Sequence, residues 1–170
     1  MKFIKMKYLF PIGLFLALFL DGSLTLAFDQ YFFTPFIAIE SRLVLLWLIM
    51  AVCYSEVEHI LLWSGFVGAI FDIYYLGVMG IFILIFPLIV YLTREIMQFL
   101  NRSFIVVLLV YLIDITVVTI LFYWVNSLIG FTSVSVTEFI SRTLGPTLVY
   151  NLLWFVLLYY PLERLFEDVQ

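Results

Sequence analysis

The sequence predicts an all-α integral membrane protein: a bundle of six transmembrane helices forming one polytopic domain over residues 1–170. Three observations carry this. Of the 170 residues, 66% are hydrophobic and only 12% are Asp, Glu, Lys or Arg, where a soluble domain holds roughly half and a quarter. The mean hydropathy is +1.21, and with Phe 19, Tyr 11 and Trp 4 no polar surface is large enough to cover what the chain would expose to water. The apolar residues also fall in runs long enough to match a hydrocarbon core of ~30 Å.

The first span is expected at about residues 8–28. Lys2, Lys5 and Lys7 precede an apolar run from Tyr8 to Leu20, which imitates a signal peptide. The pattern is apolar on both sides of Asp21 and membrane-like throughout downstream, so an uncleaved span is expected. The second, 34–54, opens with Pro35, suited to a first helical turn, and carries Glu40 and Arg42 near its start. After the polar link of Glu56, Glu58 and His59, the run from Ile60 to Thr93 holds one charge, Asp72. As a single helix it would be about 51 Å long, too long for one crossing. It must fold back, and Tyr74-Tyr75-Leu76-Gly77 followed by Gly80 supplies the turn chemistry. Spans three (58–75) and four (78–97) result.

Arg94, Glu95, Asn101 and Arg102 connect to span five, 104–126, which contains Asp114. Asn126, Ser127, Gly130, Thr132, Ser133 and Ser135 then read as a solvent loop. Span six, 141–161, contains Pro146 and Asn151 and is expected to end at Pro161, leaving a short exposed tail from Glu163 to Gln170. Six spans place both ends on one side. Lys2, Lys5, Lys7, Arg94, Arg102 and Arg164 then share that side, against Arg42 and Arg142 opposite, so the N- and C-termini are expected in the cytoplasm of a cell membrane.

The net charge of −4 argues against a nucleic-acid partner, which calls for a basic face. The single cysteine, Cys53, excludes an intrachain disulfide and a cysteine-rich metal site. His59 is the lone histidine and no Gly-x-Ser-x-Gly occurs, so no metalloprotease helix, nucleophile elbow or phosphate loop can be drawn. Asp72 is not set in a Gly-x-Gly-Asp motif. The expectation is a non-enzymatic protein without metal or cofactor.

The informative residues are the polar ones at membrane depth. Asp21, Asp72 and Asp114 interrupt apolar runs, and an ionisable group there needs a partner or water. Asp21, Arg42, Asp72 and Arg142 fall at similar depth in the outer half, where mutual neutralisation in a polar cluster and separate solvation at the interface are both open. Ser64, Gly68 and Asp72 share a helical face, with Gly65 and Ala69 beside them. Small residues at that spacing let another helix approach closely, and packing inside the bundle is expected ahead of dimerisation.

The segment from Gly65 through Asp72-Ile73-Tyr74-Tyr75-Leu76-Gly77 to Gly80 resembles the Gly-rich, Asp-containing third helix and turn of the MreD family of the bacterial cell-elongation machinery. Pro146-Thr147-Leu148-Val149-Tyr150-Asn151, followed by Tyr160-Pro161-Leu162, looks like that family's last helix. The resemblance covers essentially the whole chain. It implies a membrane scaffold that binds an MreC-type bitopic membrane protein and peptidoglycan synthases (penicillin-binding and polymerase proteins) to control cell shape. The site expected from the residues themselves is a polar cluster or partner-packing surface of Asp21, Arg42, Gly65, Gly68, Asp72, Arg142 and Asn151. The competing resemblance is to the substrate-binding S component of energy-coupling-factor vitamin transporters, of similar length and hydropathy. Gly13, Ala17 and Asp21 match that group's first-helix Ala-xxx-Ala only loosely.

Overall fold

The computed structural model describes residues 2–169, with side chains from Met6 onward. Among the described residues there is no strand, and helices account for most of the chain. In order they are α1 (Lys2–Ala27), the short α2 (Asp29–Phe32), α3 (Leu43–Tyr54), α4 (Ile60–Phe71) continued by a π-helical turn (Asp72–Leu76), α5 (Phe82–Met97), α6 (Phe104–Ile129), the short α7 (Val136–Phe139) with a second π-helical turn (Ile140–Leu144), and α8 (Gly145–Asp168).

Three helical stretches are long and apolar enough to cross a membrane: Met6–Ala27, Phe104–Ile129 and Val136–Asp168. Each carries a wide lipid-compatible face, as with Ile12, Leu16 and Phe19 on α1 and Leu153 and Leu157 on α8, all exposed. The protein is therefore an all-α membrane protein, and α1, α3, α4, α5, α6 and α8 supply its six principal helices.

The hydrophobic centre is α3. Nearly every residue from Leu43 to Tyr54 is buried, because α1, α5, α6 and α8 all pack around it. A helix apolar on every side belongs inside a bundle. At 12 residues it is only about 18 Å long. The expected span 34–54 is thus half helix. Residues 34–42 do not extend α3 but run as irregular chain, folded on itself by a Phe33–Ala38 bridge and by the Thr34 amide donating to the Ile37 carbonyl at 2.9 Å.

The fold-back inside the Ile60–Thr93 run lies where the glycines placed it. Gly77 (φ 68°) and Gly80 (φ 114°) adopt left-handed backbone, which a side chain would oppose. Ser103 begins α6, its hydroxyl accepting from the Val106 amide at 3.4 Å, and Gly130 (φ 87°) ends it. The sixth span differs from expectation: α8 continues through Pro161 to Asp168. Its last turns are held by Phe166, which is fully buried with its ring 4.8 Å from that of Trp47. Burial of this aromatic outweighs the hydrogen bond that Pro161 removes.

Candidate functional site

α3 begins inside the bundle, so its first N–H groups need partners that the helix cannot supply and that lipid does not offer. Its own N-cap residue, Arg42, makes no side-chain cap. The cap comes from α1. One oxygen of Asp21 accepts the Leu43 amide at 2.8 Å and the Ser41 hydroxyl at 2.6 Å, and the other accepts the Val44 amide at 2.9 Å. The positive end of the α3 dipole thus meets two acceptor oxygens.

The residues just before α3 are fastened with equal completeness. Asn151 of α8 accepts the Arg42 amide at 2.9 Å and donates to the carbonyls of Glu40 at 2.9 Å and Thr147 at 2.8 Å. The Thr147 hydroxyl accepts the Glu40 amide at 3.1 Å. From α6, Tyr111 donates to the Arg42 carbonyl at 3.2 Å. Asp21, Asn151, Thr147 and Tyr111 are all buried, and together they pin residues 40–44 from three helices.

Asp72 performs the corresponding service for α5. Gly80 and Ile83 donate to one carboxylate oxygen at 3.0 Å and 3.2 Å, and Phe82 to the other at 2.9 Å. The π-helical turn carries the chain round to this position, closed by the Gly77 amide on the Asp72 carbonyl at 2.8 Å. The small-residue face lies against the same helix start. A Cβ on Gly68 would stand 2.4 Å from the Phe82 carbonyl oxygen, whereas at Gly65 the nearest atom is Pro87 Cγ at 3.4 Å. Gly68 is therefore what allows α4 and α5 to touch backbone to backbone, and Gly65 sits at the looser edge of that contact.

The two arginines pair with glutamates and not with Asp21 or Asp72. Arg42, 4% exposed, forms an ion pair with Glu40, and its guanidinium carbon lies 5.1 Å from the Phe82 ring centre. Its Nε has no partner. Arg142 contacts Glu138 at 3.4 Å and donates to the Thr34 carbonyl at 3.3 Å, while its own carbonyl accepts the Ala38 amide at 2.9 Å. Helix-start amides supply neutral donors to both oxygens of each carboxyl group, so neither depends on direct contact with a cation. Asp114 follows the same economy, accepting the Thr93 hydroxyl at 2.6 Å to tie α6 to α5.

The seven expected site residues thus form two constellations and an outlier. Asp21, Arg42 and Asn151 meet at the start of α3. Asp72, Gly65 and Gly68 shape the α4–α5 junction. Phe82 links them, its amide on Asp72 and its ring beside Arg42. Arg142 stands apart, holding residues 34–38. Between the two constellations is a cavity of about 250 Å³ lined by Asp21, Glu40, Arg42, Phe71, Tyr75 and Phe122 among others. Sequence reasoning passed over Ser41, Thr147 and Tyr111. Of these only Thr147 carried a signal, since it stands one turn before Asn151 on the same face of α8.

No solved structure and no curated protein matches the chain. The family model described as "MreD: rod shape-determining protein MreD" matches residues 4–169, nearly the whole length and both constellations. The chain, a multi-pass membrane protein whose buried polar residues anchor its helix starts, therefore belongs to the MreD family and has its role in the determination of cell shape.

Proposed function

We propose that this protein is a non-enzymatic scaffold of the peptidoglycan elongation machinery, embedded in the cell membrane with both termini cytoplasmic, which docks an MreC-type bitopic protein and wall synthases on its lipid-facing sides. The observation that carries the reading is how the buried carboxylates are used. Asp21 is engaged by α3, Asp72 by α5 and Asp114 by Thr93, so all three act as fasteners of a rigid bundle. A fixed helix surface is what a partner's single transmembrane helix needs for docking by shape and close packing.

The docking face proposed is the exposed side of α4 around Gly65 and Phe66, since Gly68 is already filled by α5. A cysteine-crosslinking scan along α4 and α8 against the bitopic partner, carried out in cells, tests this. Crosslinks are expected at positions 62 and 66 and absent at 64 and 68. Equal crosslinking on all faces, or none on α4, would refute the docking face. Depletion is expected to give rounded cells with misplaced wall growth.

The vitamin-transporter reading has one observation in its favour, the cavity beside Arg42. Growth of depleted cells restored by an external vitamin would support that reading against the scaffold.

A further inference from the structure

At the other end of the bundle, where α1 starts and α3 ends, lies a larger cavity of about 720 Å³ whose lining includes Lys7, Arg94, Arg102, Glu56, Glu58 and Trp63. It brings together cations from three separate parts of the chain: the first turns of α1, the last turn of α5 and the link before α6. Among the described residues the ion pairs are Arg42–Glu40 and Arg142–Glu138, so none of these three cations is paired with a carboxylate. Arg94 lies 5.8 Å from the Tyr91 ring centre, a contact that leaves its N–H groups available. Much of the wall is apolar and aromatic: Phe10 and Trp63 stand edge to face at 6.2 Å, and Pro11 and Val52 line it too, with His59 beside the glutamates in the same lining.

We propose that this cavity is a binding site for an anionic phospholipid with a hydroxyl-bearing headgroup. The phosphodiester lies between Lys7, Arg94 and Arg102, the headgroup hydroxyls donate to Glu56 and Glu58, and the glycerol backbone rests on Pro11 and Trp63. Basic pockets between transmembrane helices at headgroup depth suit such lipids. A water's share of liquid volume is ~30 Å³, so the space far exceeds a bare ion. The two glutamates discriminate as well. They oppose an unsubstituted phosphate, which brings only negative charge, and favour a headgroup with hydroxyl donors. The site is independent of which protein partner is docked.

The test is native mass spectrometry of the full chain released from micelles doped with phosphatidylglycerol or phosphatidylcholine, with inorganic phosphate as competitor. One phosphatidylglycerol is expected to be retained in preference to phosphatidylcholine. Arg94→Gln and Arg102→Gln should each weaken retention about fivefold, and Arg142→Gln, far from the cavity, should leave it unchanged. Millimolar inorganic phosphate should not displace the lipid. Equal retention of the two lipids, displacement by phosphate, or indifference to both arginines would overturn the proposal; the last result would leave the cavity to an acidic protein segment instead. Should a variant fail to fold, a photoactivatable phosphatidylglycerol on the wild-type chain decides. Labelling of the peptides containing Trp63 and Arg102 is expected, and labelling confined to other helices would refute the site.

Discussion

At the end of the bundle where α3 and α5 begin, the buried carboxyl and guanidinium groups are held from within. Asp21 and Asp72 each accept hydrogen bonds from helix-start amides, and Arg42 has Glu40. At the end where α1 begins, Lys7, Arg94 and Arg102 line an open cavity without a carboxylate in salt-bridge contact. The same scarce resource, charge in a lipid-soluble chain, is used for architecture at one end and left available to outside molecules at the other. The difference follows from burial. A helix that starts inside the bundle must have its first N–H groups satisfied by protein, whereas Lys7, Arg94 and Arg102 are exposed and need no partner from within.

Substitutions at the two ends should therefore behave unequally, and thermal unfolding in lipid nanodiscs measures the inequality. The largest effect is expected for Asp21→Ala. It strands the Leu43 and Val44 amides and the Ser41 hydroxyl in a buried site, at a cost of about 3 kcal/mol or more. Gly68→Ala follows. Its new methyl would overlap the Phe82 carbonyl and force α4 from α5, costing about 1–3 kcal/mol; an unchanged melting temperature would mean that the α4–α5 contact is looser than described. Arg102→Gln, at the end where α1 begins, should be the mildest and leave the melting temperature almost unchanged, because the side chain is exposed and has no carboxylate in salt-bridge contact among the described residues. A loss at Arg102 as large as that at Asp21 would break the comparison.

Much of this architecture was legible beforehand for a physical reason: hydrocarbon demands long apolar runs, and left-handed backbone demands glycine. The runs placed α1 and α6 within a few residues of their observed bounds, apart from the first turns of α1, and Gly77 and Gly80 placed the fold-back. The late start of α3 was not legible, because what stops the helix at Leu43 lies on other helices: Asp21 on α1, Tyr111 on α6 and Asn151 on α8. No local feature of residues 34–42 announces those partners. The roles of the acidic residues were hidden in the same way. Their presence at depth marked Asp21 and Asp72 as needing partners, but a backbone amide is present at every position and leaves no trace in the sequence, whereas an arginine does. Pairing with the two arginines and solvation at the interface therefore both stayed open.

The account rests on Asp21 and Asp72 being separate caps for separate helices, and amide hydrogen exchange in nanodiscs tests this most directly. Asp21→Asn should raise exchange at Leu43 and Val44 while Phe82 and Ile83 remain protected, and Asp72→Asn should do the reverse. Protection unchanged in both variants, or lost at both helix starts in each, would contradict it.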